Sequence, residues 1–63
     1  MSFQNNLREL RLAKGLTQQQ LGEAFHVSRT TISNYETGKI EPSIKLILDI
    51  SEYFEVSLDQ LLK

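Results

Sequence analysis

The sequence contains no cysteine and a single histidine, His26. Without thiolates it can form neither a disulfide framework nor a cysteine-ligated zinc site, and one imidazole cannot complete a metal site alone. We therefore expect no bound metal, and nothing in the composition indicates a cofactor or a small-molecule ligand. The absence of cysteine is also compatible with the cytoplasm, where we expect the protein to act.

Long apolar runs are missing as well. No segment approaches the ~18 apolar residues of a membrane-spanning helix, and the N-terminus lacks the basic and apolar regions of a signal peptide. We expect no membrane partner. The 63 residues leave room for one hydrophobic core, so residues 1–63 are interpreted as a single domain with no appended sensor domain. No set of nucleophile, base and orienting residue can be assembled, so we do not expect an enzyme.

The net charge of −1 gives no general excess of basic residues, although phosphate neutralisation by Lys and Arg supplies most non-specific affinity for nucleic acids. The charge is unevenly distributed, however. Residues 1–39 carry +2 and residues 40–63 carry −3. This polarity favours a DNA-facing front and a solvated back.

Helix start and stop signals predict five short helices and no strands. Gly15 and Gly38 provide C-terminal stops, and Gln20 and Gln60 complete capping boxes three residues after a Thr and a Ser. The predicted N-caps are Ser2, Thr17, Ser28 and Ser57, and Pro42-Ser43 marks the boundary before the fourth helix. The fourth helix has the widest apolar stripe and is predicted to be the main core helix. Its stripe consists of Ile44, Ile47, Leu48, Ile50 and Phe54.

Three stretches resemble the Cro and phage-repressor helix-turn-helix family, also called the xenobiotic response element type. They are residues 11–21 (RLAKGLTQQQL), residues 27–39 (VSRTTISNYETGK) and Pro42-Ser43. The resemblance covers nearly the whole chain. It implies an all-α, lambda-repressor-like domain of five helices, in which helices two and three form the helix-turn-helix. The third helix would enter the major groove of double-stranded DNA while the second crosses the backbone.

The third helix has a polar outer face, for which an ordinary solvated surface is the alternative interpretation. The resemblance places Arg29, Thr30 and Asn34 at base-facing positions, and Arg and Asn can bond bidentately to guanine and adenine. The predicted base-reading residues are Arg29, Thr30, Ser33 and Asn34. The residues that the resemblance places near phosphates are Thr17, Gln18, Ser28, Thr37 and Lys39. Phosphate contacts fix register and do not read sequence.

Arg11 lies on the apolar stripe of the first helix, and this position together with the family pattern predicts an ion pair with Glu36. A phosphate contact is the alternative for Arg11. The chain departs from the family at three positions. Glu41 stands where many members are basic, which would make affinity depend more on dimerisation. His26 stands where members usually have Gly, in a turn that often requires a left-handed backbone. Gly22 stands where many members have Ala, which suggests a closer approach of the helices.

These features predict a transcriptional regulator that binds an inverted-repeat operator as a homodimer. The expected dimer interface comprises Leu46, Ile50, Tyr53, Leu58 and Leu62. Ile50, Leu58 and Leu62 could instead belong to the core, which would leave Leu46 and Tyr53. The alternative function is a protein-interaction module of the same fold, of antitoxin or antirepressor type, which the mild acidity slightly favours.

Overall fold

Five helices make up the chain in the structure, a computed structural model that describes residues 2–63. They are α1 (Phe3–Ala13), α2 (Gln18–Phe25), α3 (Arg29–Thr37), α4 (Ile44–Phe54) and α5 (Leu58–Leu62). No strand is present between residues 2 and 63. The predicted all-α fold of five helices is therefore confirmed.

A hydroxyl side chain caps the N-terminus of every helix: the four predicted N-caps are found, and Ser43 caps α4 as well. Each hydroxyl oxygen accepts a hydrogen bond from the amide three residues later, at distances between 3.0 and 3.4 Å. The Oε1 atoms of Gln20 and Gln60 in turn accept hydrogen bonds of 2.9 Å from the backbone amides of Thr17 and Ser57. A cap of this kind stabilises a helix by about 1 kcal/mol. The helix boundaries thus follow from hydrogen bonds that span only three residues.

All five helices contribute to one core. Its fully or almost fully buried apolar side chains are Leu7, Leu21, Ile32, Tyr35, Ile50 and Leu61. Helix α1 packs against α3 and α5, and α2 packs against α3. Because Ile32 and Tyr35 anchor one side of α3 in this core, the opposite side of α3 faces outward in a fixed orientation.

The rotation of α4 about its axis differs from the predicted one. Ile50 is buried as expected, and Ile47 and Phe54 pack partly against the core. Ile44 and Leu48, however, are 78% and 46% exposed. Apolar residues surround most of the circumference of α4, so the helix can bury only part of them. It turns Ile50 inward, and at about 100° per residue this leaves Ile44 and Leu48 on the other side.

Asn6 joins the two ends of the chain, a role that the sequence analysis missed. Its Nδ2 atom donates hydrogen bonds to the carbonyl oxygens of Gln60, at 3.2 Å, and Leu61, at 2.8 Å. These carbonyls lie in the last turn of α5, where they have no partner within the helix. Asn6 is buried and follows Phe3 by three residues. The sequence signal that could have indicated this role was the presence of a polar residue on the apolar face of α1.

Two non-glycine residues end helices in the left-handed conformation. His26 has φ 60° and ψ 37° after α2, and Glu55 has φ 57° and ψ 44° after α4. In this region the Cβ atom crowds the following carbonyl oxygen, which costs roughly 1–2 kcal/mol, whereas glycine adopts it freely. The expectation that His26 occupies a glycine-type turn position therefore describes its backbone correctly.

We expect His26→Gly to raise the free energy of unfolding by about 0.5–1 kcal/mol, since relief of the left-handed Cβ contact exceeds the added entropy of glycine in the unfolded chain. Urea denaturation would measure the change. Glu55→Gly, at the equivalent backbone conformation, should give a similar gain. Ala24→Gly, inside α2, should instead lose about 1 kcal/mol. A loss with His26→Gly would contradict the prediction.

Candidate nucleic-acid interface

Helices α2 and α3 are joined by the three residues from His26 to Ser28, which form a tight turn. The left-handed His26 reverses the chain, and the Val27 amide donates to the carbonyl oxygen of Gly22 at 2.9 Å. Ser28 then caps α3: its Oγ accepts from the Thr31 amide at 3.0 Å and lies 2.9 Å from Thr31 Oγ1. The turn thus places the first residue of α3, Arg29, directly after a fixed cap.

The outer side of α3 consists of two rows of polar side chains. Arg29, Ser33 and Thr37 follow one another at intervals of four residues, and Thr30 and Asn34 form the adjacent row. Arg29, Thr30 and Thr37 are exposed, and Ser33 and Asn34 are half-buried. The four predicted base-reading side chains make no side-chain hydrogen bond to any other residue between 2 and 63. Their donors and acceptors are therefore available to an external partner.

The predicted phosphate-binding residues lie at the ends of α2 and α3. They differ in whether their side chains already form hydrogen bonds within the chain. Thr17 and Ser28 use their hydroxyl oxygens as N-caps. Thr37 Oγ1 donates to the Asn34 carbonyl oxygen at 3.4 Å. Lys39 is exposed, one residue after the left-handed Gly38 that ends α3.

Gln18 takes part in a buried network that ties α1, α2 and α3 together. Arg11 donates to Glu36 in a bidentate arrangement, from Nε to Oε2 at 2.6 Å and from Nη2 to Oε1 at 3.1 Å. Arg11 Nη1 also donates to the Leu16 carbonyl oxygen at 2.9 Å, and Gln18 Nε2 donates to Glu36 Oε1 at 3.1 Å. The amide of Gln18 carries a second hydrogen that this bond leaves free.

The geometry of this network matches the ion pair that the sequence analysis predicts between Arg11 and Glu36. The two side chains are only 11% and 4% exposed, so the charges are largely removed from water. A bidentate arginine–carboxylate pair fixes the relative orientation of both groups. Because Glu36 belongs to α3, the pair holds the C-terminal half of that helix against α1.

The N-termini of α2 and α3 each favour an anion. Neither α2 nor α3 has an acidic residue in its first turn, so the partial positive charge of each helix N-terminus is not neutralised there. Two exposed ion pairs, Lys45–Asp49 at 3.2 Å and Lys63–Asp59 at 3.1 Å, lie on α4 and at the C-terminal end of α5. Within residues 2–63, no carboxylate forms a salt bridge with Arg29 or Lys39.

The residues predicted to form a dimer interface occupy different environments. Ile50 is completely buried within its own chain, so it is not available to a second chain and its assignment to the interface is wrong. Leu46 and Tyr53 are half-buried. The Tyr53 ring makes edge contacts with those of Phe25 and Phe54, at centroid distances of 5.1 and 5.0 Å.

Leu58 and Leu62 are exposed on α5, as are Ile44 and Leu48 on the neighbouring α4. The sequence analysis assigned Leu58 and Leu62 to the interface but not Ile44 and Leu48. We call Ile44, Leu48, Leu58 and Leu62 the apolar edge.

Residues 2–63 contain no group of three or more His, Cys, Asp or Glu side chains arranged to hold a metal ion. None of the helices in this range combines the length and the apolar character that crossing a membrane requires.

Comparisons with known proteins place this arrangement among transcriptional regulators. A family model described as helix-turn-helix matches residues 7–61. Over 62 residues, 98% of this chain, the sequence is 47% identical to the HTH-type transcriptional activator BcrR of Enterococcus faecalis. It is 41% identical to the uncharacterized regulator YqaE of Bacillus subtilis over 97% of the chain. The chain spans only 30% of BcrR and 53% of YqaE.

A solved structure has nearly the same backbone. The P22 c2 repressor, in complex with a synthetic operator, superposes with a TM-score of 0.89 at 30% sequence identity. The match covers 100% of this chain and 96% of the repressor chain. The five helices therefore have the arrangement of a repressor domain over their whole length.

Proposed function

This chain belongs to the Cro/C1-type helix-turn-helix family of transcriptional regulators, and on that premise we propose that it binds double-stranded DNA sequence-specifically, as a homodimer on an inverted repeat. The observation that carries the proposal is the outer side of α3. Arg29, Thr30, Ser33 and Asn34 present unpaired hydrogen-bonding groups there, on a helix whose other side is fixed by Ile32, Tyr35 and Glu36. In this proposal α3 enters the major groove.

The contacts to phosphate are proposed to come from both ends of the turn motif. Lys39 supplies a full charge, and Gln18 supplies the hydrogen that its bond to Glu36 leaves free. Thr17 and Ser28 supply hydroxyl groups next to the N-termini of α2 and α3, and Thr37 would exchange its 3.4 Å bond to the Asn34 carbonyl oxygen for a phosphate. Such contacts set the register of the protein on the duplex and leave base discrimination to α3.

Salt dependence separates this function from that of a protein-interaction module. A DNA reader should lose affinity for a random duplex steeply as the salt concentration rises, whereas an interaction module should bind the duplex little at any salt concentration. Lys39→Ala should reduce the slope of log K against log salt by about one unit. Lys45→Ala, which removes a lysine already paired with Asp49, should leave the slope unchanged. No binding by the wild type would reject the proposal.

Molecular size supports direct contact between two copies on DNA. The chain measures 25 × 23 × 20 Å along its principal axes. Reading helices one duplex turn apart are separated by about 34 Å, so each would lie about 17 Å from the two-fold axis. This distance is shorter than any dimension of the chain. We propose that the apolar edge forms the contact between copies. Leu46 and Tyr53 lie on the opposite flank of α4 and take no part in the proposed contact.

The dimer proposal is tested by sedimentation of the wild type and of a Leu48→Glu, Leu62→Glu double variant. Both leucines are exposed, so the double variant should stay folded and become monomeric. Leu12→Glu, at an exposed leucine on α1, is the matched control and should remain dimeric. A wild type that is monomeric at tens of micromolar, where a dimer of about 8 kcal/mol is still largely associated, would reject a preformed dimer. A double variant that stays dimeric would place the interface elsewhere.

A further inference from the structure

Helix α2 and the start of α3 approach each other closely at Gly22, which is buried. A Cβ atom at this position would lie 2.5 Å from the carbonyl oxygen of Val27 and 3.2 Å from the carbonyl carbon and oxygen of Ser28. All three are backbone atoms, so no side-chain rotation can relieve the contact. Gly22 is not among the residues with positive φ. At the helix spacing of this chain, closer than members with Ala at this position would allow, glycine is therefore needed for space and not for backbone conformation.

Any displacement caused by a side chain at Gly22 would be passed to the N-terminus of α3. Ser28 is the N-cap of α3 and Arg29 its first residue. To reach the 3.4 Å at which ordinary contact begins, the Val27 carbonyl would have to recede by about 1 Å. Functional groups generally have to be held within about 0.5 Å of their productive positions. A methyl group at Gly22 thus exceeds that tolerance at the beginning of the reading helix.

The two ends of α3 would respond differently. Glu36, near the C-terminus of α3, is held in two hydrogen bonds by Arg11 of α1, which takes no part in the contact between α2 and α3 at Gly22. A push at Val27 and Ser28 would therefore tilt α3 about its fixed C-terminal half. Arg29 and Thr30 would move most, and Asn34 would move less because it lies closer to Glu36.

We propose that Gly22 is a positioning residue that sets how deeply Arg29 and Thr30 enter the major groove, and so determines part of the base preference. This inference rests on the proposed DNA-binding function. It assigns base selectivity to a residue that lies on α2 and makes no contact with the bases.

The experiment compares wild type and Gly22→Ala on a sequence that the wild type selects from a random duplex pool, and on every single-base variant of it. We expect Gly22→Ala to lose about 10- to 100-fold in affinity for the selected sequence, the size of one disrupted bidentate contact. Base preference should change at the positions that Arg29 and Thr30 read and persist at the position that Asn34 reads. Affinity for random duplex should change by less than about threefold, because phosphate contacts dominate it.

Two further variants separate displacement from loss of stability. Gly22→Ser introduces a Cβ at the same place and should shift base preference in the same way. Asn6→Ala removes the bonds between α1 and α5, away from the turn. It should lower stability but leave base preference unchanged at a temperature where it is folded.

Unchanged base preference in Gly22→Ala, or an equal loss at every base position, would overturn the proposal. Failure of both Gly22 variants to fold at low temperature would also overturn it, because Gly22 would then be required for folding itself. A wild type that binds duplex DNA but selects no sequence would reject the proposed sequence-specific function and this inference with it. Selective binding by the wild type with an unaltered Gly22→Ala profile would reject the inference alone.

Discussion

Arg11→Met should lower the free energy of unfolding by about 3–5 kcal/mol, because it leaves the Glu36 carboxylate buried without its cationic partner. Glu36→Met should cost a similar amount by leaving the Arg11 guanidinium unpaired. A domain of 63 residues has a total stability of only about 3–9 kcal/mol, so either single variant lies close to global unfolding. Urea denaturation in a stabilising osmolyte keeps both variants measurable.

The double variant Arg11→Met, Glu36→Met should recover much of the loss, since two apolar side chains can replace a buried pair at little cost. The resulting interaction energy should far exceed the ~0.3–0.5 kcal/mol within which independent sites add. The exposed pair Lys45–Asp49 is the control, with an expected coupling of about 0.2–0.5 kcal/mol. Additive effects of Arg11 and Glu36 would contradict the prediction and return Arg11 to the candidate phosphate contacts.

Arg29→Ala and Asn34→Ala should each weaken binding to the selected operator by about 1–3 kcal/mol, with the loss confined to one or two base positions. The physical reason is that each side chain can form a bidentate contact with a single base edge. Their outward positions on α3 should leave the free energy of unfolding within about 0.5 kcal/mol of wild type. Affinities against a panel of single-base operator variants measure the effect.

Lys39→Ala provides the contrast, because it should weaken binding to all members of the panel alike. If Arg29→Ala or Asn34→Ala behaved in that way, the residue would be assigned to phosphate contact. If neither variant lost affinity, α3 would not be the reading helix. The panel thus tests separately whether α3 binds and whether it discriminates.

The part of the molecule that could be predicted from the sequence is the part governed by local interactions. Every helix begins at a Ser or Thr whose hydroxyl oxygen accepts from an amide three residues later, so four of the five N-caps were predicted directly and Ser43 was recognised as a boundary residue. The outward position of Arg29 and Thr30 was also predictable, because Ile32 and Tyr35 mark the inner side of the same helix. Pairing of Arg11 with Glu36 required the family pattern, since 25 residues separate the two.

Other features were decided only by the tertiary structure. Apolar residues surround most of the circumference of α4, so the sequence did not show that Ile44 and Leu48 would be the ones to stay exposed. Asn6 bonds carbonyls more than 50 residues away, and no local pattern encodes such a partner. At Gly22 the sequence indicated close approach but not which atoms it meets. Local hydrogen bonds determine where a helix begins and ends, whereas its rotation and contacts minimise the free energy of the whole core.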